Sequence, residues 1–275
     1  MTKIHEVLTY CEAFAPLRLA ESWDNVGLLL GEDSATAKRV MTCLTVTPAV
    51  VAEAIERHAD LIVSHHPVIF RPIGRVTRET TVGAMVLDLI GAGVTVYSPH
   101  TALDSAASGI NQSLAEGMGL REIQPLRLVE GISRPIDEAG EAPDGPIEGV
   151  GRFGHLPKAL RLDTIAKRLR DLVAAERMDV VGEVSRKIQT IATTCGAADE
   201  LVDDAIARGA DCVVIGEARF HTCLAAQAAD VCLLMPGHFA SERFAVEKLA
   251  DRLAEKFSQV EVWASTQDRD PIRRL

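Results

Sequence analysis

Short apolar runs alternate along the chain with longer stretches in which apolar residues recur every three or four positions. Such alternation predicts βα units around a largely parallel or mixed sheet. Ile4, Val7, Leu8 and Cys11 mark one face of a helix over 3–15, which Pro16 stops. A strand near 39–46 leads to Thr47-Pro48, a cap and first-turn proline opening a helix to about Ala59. Leu61-Ile62-Val63 is the next strand. A helix near 80–90, the strand Val94-Thr95-Val96-Tyr97 and a helical stretch over 108–118 follow. Beyond residue 150 the pattern resumes, with strands near 150–155, 188–194, 211–215 and 231–235 and helices near 162–175, 199–208, 219–229 and 240–257. Val260-Glu261-Val262-Trp263 is the last strand. Between the halves, residues 131–149 are dominated by Gly, Pro, Asp and Glu and read as a connection. The expected fold class is α/β: two related α/β lobes, 1–130 and 150–275, with mixed sheets flanked by helices.

A weak internal repeat relates the two lobes. Ala54-Ile55-Glu56-Arg57-His58-Ala59-Asp60-Leu61-Ile62-Val63 resembles Ala205-Ile206-Ala207-Arg208-Gly209-Ala210-Asp211-Cys212-Val213-Val214, and this register sets His66 opposite Glu217. Each copy is followed by an apolar strand ending in proline, at Pro99 and at Pro236. Each proline is followed by a histidine with an acidic residue four positions on: His100 and Asp104, then His238 and Glu242. Two correspondences in the same order favour duplication over chance.

Composition narrows the function classes. A net charge of -10 argues against affinity won by neutralising the phosphates of a nucleic acid. No run is apolar for long enough to span a bilayer, and the first residues lack the hydrophobic region of a signal peptide. Cys11, Cys43, Cys195, Cys212, Cys223 and Cys232 form no C-x-x-C pair and lie mostly in apolar runs. They read as small buried hydrophobes in a reducing, cytoplasmic setting, not as zinc ligands or disulfides.

The candidate chemistry lies at strand ends. His65 and His66 close the run Leu61-Ile62-Val63, just before Pro67. Neighbouring side chains on a strand point to opposite faces, so the pair can converge only once the strand has ended. The carboxyl edge of a buried sheet is also where open α/β folds place ligands. On a helix His238 and Glu242 share one face, and His100 and Asp104 offer a similar reach. Imidazole with carboxylate suits Zn, Fe, Mn, Co or Ni. Six such candidates exceed the needs of one ion and favour a two-metal centre. Glu217 and His221, in Gly216-Glu217-Ala218-Arg219-Phe220-His221, are candidates for proton transfer at the same edge. Trp23 and Asn25 are candidates for lining a substrate pocket.

Four segments together resemble a known family: Glu21-Ser22-Trp23-Asp24-Asn25-Val26-Gly27-Leu28, Ser64-His65-His66-Pro67-Val68-Ile69-Phe70, His100-Thr101-Ala102-Leu103-Asp104 and Gly237-His238-Phe239-Ala240-Ser241-Glu242. In this order, over nearly the whole chain, they are similar to the NIF-three-like family, whose members are also called GTP cyclohydrolase I type 2 homologues. The resemblance implies two divalent metal ions per chain, held by His65, His66, Asp104, His238 and Glu242, and a toroidal homohexamer. His100 is then left to orient Asp104, bind metal weakly or touch substrate. Thr45 stands where many relatives carry Asp, and Thr194-Cys195-Gly196-Ala197-Ala198 replaces a Gly-Ser-rich loop.

The expected function is a metal-dependent hydrolase acting on a small phosphorylated or nucleotide-like substrate, in one version a GTP cyclohydrolase-like ring opening. A second reading, from another class, is a non-catalytic metal-binding or regulatory protein, because ligands alone do not make an enzyme.

Overall fold

The computed structural model describes residues 1–129 and 147–273. It falls into two compact units, Met1–Leu103 with the chain from Ala245 onward, and Asp104–Phe244.

The first unit holds a five-stranded sheet in the order β1-β4-β3-β2-β11. Its strands are β1 (Gly27–Leu30), β2 (Arg39–Cys43), β3 (Leu61–Ser64), β4 (Thr95–Ser98) and β11 (Glu261–Ala264). β2, β3, β4 and β11 run parallel, whereas β1 lies antiparallel along β4. On one face Val50, Val51 and Ala54 of α2 (Pro48–Glu56) and Met85 and Leu89 of α3 (Thr81–Ala92) pack over Met41, Ile62 and Val96. On the other, Ile4, Val7 and Cys11 of α1 (Ile4–Phe14) join Leu249 and Leu253, from the far half of α9 (His238–Lys256), over Val40, Leu61 and Val63. A strand covered on both faces needs no polar alternation. All four residues of β3 are accordingly buried, which explains its unbroken apolar run. Thr47 caps α2 by accepting from Val50 N, as expected of the Thr-Pro pair.

The second unit holds a six-stranded sheet in the order β5-β6-β8-β9-β10-β7. These are β5 (Arg121–Gln124), β6 (Arg152–Arg161), β7 (Asp179–Val181), β8 (Lys187–Thr193), β9 (Cys212–Val214) and β10 (Cys232–Met235). β8, β9 and β10 are parallel, and β7 lies antiparallel on β10. Leu201, Val202 and Ala205 of α7 (Glu200–Ala207) and Ala226 of α8 (Phe220–Ala228) cover Ala192, Val213, Ile215 and Leu233. Helices α5 (Ile110–Gly117) and α6 (Leu162–Leu172) complete the unit, and the short α4 (His100–Ser105) carries the chain into it.

The internal repeat is present in backbone detail. Asp60 accepts from Lys38 N and Arg39 N, as Asp211 accepts from Gln189 N and Thr190 N. His58 has φ +55° where Gly209 has +74°, and Gly93 has +70° where Asp230 has +56°. Each unit thus repeats an antiparallel edge strand followed by three parallel strands, with a helix crossing between each parallel pair.

The sheets divide the chain elsewhere than at residues 131–149. Of that connection only 147–149 belong to the described residues. β5 precedes it yet joins the second sheet, and β11 comes last yet joins the first. Strand exchange between distant segments leaves no local pattern in a sequence, so a division into consecutive halves is the reading it invites. β1, β5, β7 and α4 were not expected either, being short and only partly buried. β6 runs past its expected end at residue 155 to Arg161, through a register irregularity between His155 and Leu160 that accommodates Pro157.

Candidate metal centre

In the first unit β3 ends at Ser64, and the next two residues keep only backbone bonds to the neighbouring strand end. His65 N donates to Cys43 O at 2.9 Å and His66 N to Leu44 O at 2.8 Å. Pro67 then turns the chain away. The two imidazoles consequently converge, with ring centroids 5.0 Å apart, and His100 completes a triangle at 5.2 Å from His65 and 5.4 Å from His66. One ligand nitrogen from each of the three lies within 4.8 Å of the others. His65 is buried and its carbonyl accepts from Ser98 Oγ at 2.6 Å, which ties the ends of β3 and β4 together.

Neighbouring groups orient the rings of His66 and His100. Thr45 Oγ1 bonds His66 Nδ1 at 2.7 Å and so holds the orientation of the ring. Thr45 thus fills the orienting position despite lacking a carboxylate. His100 Nδ1 bonds Asp24 Oδ1 at 2.8 Å, and Asp24 Oδ2 accepts from Thr101 Oγ1 at 2.6 Å and Thr101 N at 3.2 Å. Burial opposes ionisation of Asp24, but the bonds from His100 and Thr101 outweigh it and hold the carboxyl below its usual range. His100 itself sits at φ +28°, a backbone setting that L residues seldom adopt. Its bond to Asp24 anchors it there. Asp24 stands between Trp23 and Asn25 in the motif, and only the fold reveals its role, because its partner His100 lies 76 positions away. Asn25 Nδ2 donates to Ile69 O, so it braces two loops against each other.

In the second unit His238 and Glu242 share a face of α9, with Nε2 and Oε2 3.2 Å apart. Glu217 Oε1 meets His238 Nδ1 at 2.9 Å. The hydrogen bond that His238 donates to Glu242, against the opposing effect of burial, and the further pull of Glu217 push the His238 imidazolium up to about 9. Glu242 is buried, and Gly196, at φ +60°, passes so close that any added Cβ would overlap its carboxylate. Ser241 Oγ fixes that approach by accepting from Gly196 N at 3.0 Å and donating to His238 O at 2.7 Å. Asp104 accepts from the Cys195 thiol at 3.1 Å, while Asn111 Nδ2 donates to its carbonyl at 3.2 Å. Burial, and then the charges of Asp104 and Glu242, push the Cys195 thiol well up. Cys195, read from sequence as an inert hydrophobe, is therefore a polar neighbour of a candidate ligand. His221 lies exposed on the first turn of α8 with its ring against Phe220, and nothing places it in this cluster.

The sequence profile of Duf34/NIF3 (NGG1p interacting factor 3) matches residues 2–271. The chain belongs to this family. Over 251 residues it is 28% identical to a Clostridium acetobutylicum protein called "GTP cyclohydrolase 1 type 2 homolog", covering 91% of this chain and 89% of that one. Among solved structures it is similar to a Bacillus cereus protein related to NIF3, with a TM-score of 0.86 at 21% identity over 100% of this chain and 99% of the other. Staphylococcus aureus protein SA1388 superposes with a TM-score of 0.84 at 27% identity over the same shares of the two chains. The Duf34/NIF3 fold is therefore that of the two-sheet α/β molecule described above.

Proposed function

We propose that His65, His66, Asp104, His238 and Glu242 hold two divalent metal ions and that the protein is a metal-dependent hydrolase of a small phosphorylated or nucleotide-like molecule. The observation that carries this reading is the convergence of His65, His66 and His100, with ligand nitrogens within 4.8 Å, at the carboxyl end of a buried strand. Imidazole and carboxylate donors of the proposed set suit Zn, Fe, Mn, Co or Ni. Bound ions of this kind supply Lewis acidity and a nucleophilic water at neutral pH.

The chain's own groups do the rest. Thr45 and Glu217 orient the rings of His66 and His238. Asp24 orients His100, whose ring lies beside those of His65 and His66, where it can hold an oxygen of the substrate or of water. The Clostridium relative's name offers ring opening of a guanine nucleotide as one version of this hydrolysis. We further infer a cytoplasmic homohexamer.

The test is turnover by metal-loaded protein across a panel of phosphomonoesters, phosphodiesters and nucleoside triphosphates. Hydrolysis of one class, lost in Glu242→Gln, is the expected result. Full metal loading with no turnover across the panel would instead support the non-catalytic reading.

A further inference from the structure

Beside the histidine triangle stand two large aromatic side chains that the metal chemistry does not use. Trp23 is 59% exposed and Phe70 is 45% exposed, an unusual cost for neighbouring aromatic rings. Their centroids are 6.0 Å apart at an interplanar angle of 77°. Both also meet His100 edge to face, at 6.4 Å and 6.2 Å. These rings are held by neighbouring bonds. Asn25 ties the loop of Trp23 to the loop of Phe70 through Ile69 O, and Asp24 clamps His100. The arrangement is an open corner of three mutually tilted rings, with one wall belonging to the candidate metal cluster.

Two exposed rings offer faces too small to bury a protein segment of the usual interface size, but well matched to one planar ring system. Resting on the proposed function, we infer that Trp23 and Phe70 form a stacking subsite for a planar heteroaromatic ring, which holds the substrate's ring against His100. This makes Phe70 a binding residue and limits substrates to those that carry such a ring.

The test uses full-length protein stripped of metal with a chelator. The chain has two tryptophans, and Trp263 lies under Arg57 with the guanidinium 3.8 Å from its ring. Trp263→Phe therefore leaves Trp23 as the sole indole emitter. Adenosine and guanosine monophosphate are titrated by calorimetry and by Trp23 emission, with ribose 5-phosphate as the ringless control. Both nucleotides should bind saturably and quench Trp23, with ribose 5-phosphate binding at least about tenfold more weakly. Phe70→Leu and Trp23→Leu, which retain apolar bulk, should each weaken nucleotide binding about tenfold. Equal binding of ribose 5-phosphate, undiminished binding in Phe70→Leu, or no nucleotide binding at all would overturn the subsite. Light scattering on Phe70→Leu adds one more contradicting outcome, a fall in particle mass, which would assign the rim to contact between copies. Metal content of the untreated protein is measured separately, so failure of the metal reading cannot be mistaken for failure of ring binding.

Discussion

Thr45 and Gly196 show how single side chains, or their absence, set a donor group. Thr45 carries the hydroxyl that engages His66 Nδ1. Thr45→Val removes it at nearly constant volume, and metal affinity should fall about tenfold to a hundredfold while the thermal midpoint stays put. Competition with a chromophoric chelator measures this, and unchanged affinity would contradict the orienting role. Gly196 and Gly209 both have positive φ, but only at Gly196 would a Cβ meet a carboxylate, that of Glu242. Gly196→Ala should therefore cost stability and displace Glu242, with metal binding lost. Gly209→Ala should pay only backbone strain, roughly 1 kcal/mol, and bind metal normally. Equal metal binding by the two variants, in the same competition assay, would refute the steric account. At this scale the sequence is informative wherever residue type carries the chemistry, as in the His-His pair. It is silent on Asp24 and Cys195, whose roles come from neighbours 76 and 91 positions away.

Among the elements, the segment after β11 depends on one buried carboxylate of α2. Glu53 accepts from Trp263 Nε1 at 3.2 Å, Ser265 Oγ at 2.5 Å, Thr266 N at 3.0 Å and Gln267 N at 3.1 Å. Burial raises the Glu53 carboxyl, but these donors together overcome that effect and hold it below its ordinary value of 4.5. The folded protein therefore binds the Glu53 proton more weakly than the unfolded chain does. Its stabilisation is complete above the ordinary carboxyl value and disappears as pH falls through the lower folded value. Glu53→Gln should cost about 2–3 kcal/mol at neutral pH, with the difference from the parent shrinking in acid. Urea unfolding at pH 7 and pH 3 checks both parts, and a pH-independent difference would contradict the linkage. The same tail reaches the residue after β2, where Asp268 accepts from Leu44 N at 2.5 Å, one residue before Thr45. Helices and parallel strands of these units were legible because Thr47-Pro48, Pro16 and the apolar runs act locally. The exchange of β11 was not, since a hydrogen-bonding partner more than two hundred residues away leaves no trace in local periodicity, and β5 is short and mostly exposed, so it carries no apolar run.

For the whole molecule, duplication explains why candidate ligands recur at matching strand ends. His66 and Glu217 occupy the same register, one as a proposed ligand and the other as the orienting partner of His238. Among the described residues no helix is long and apolar enough to cross a membrane. The ring assembly inferred above predicts six chains per particle by light scattering, and a monomer would contradict it. The central claim is the dinuclear centre, and metal stoichiometry tests it most directly. Elemental analysis with anomalous diffraction should find two divalent ions per chain in the parent protein. In folded His65→Ala and His238→Ala variants at least one ion should be lost. Full occupancy in both variants, or a parent protein that binds no metal under saturating conditions, would contradict the account.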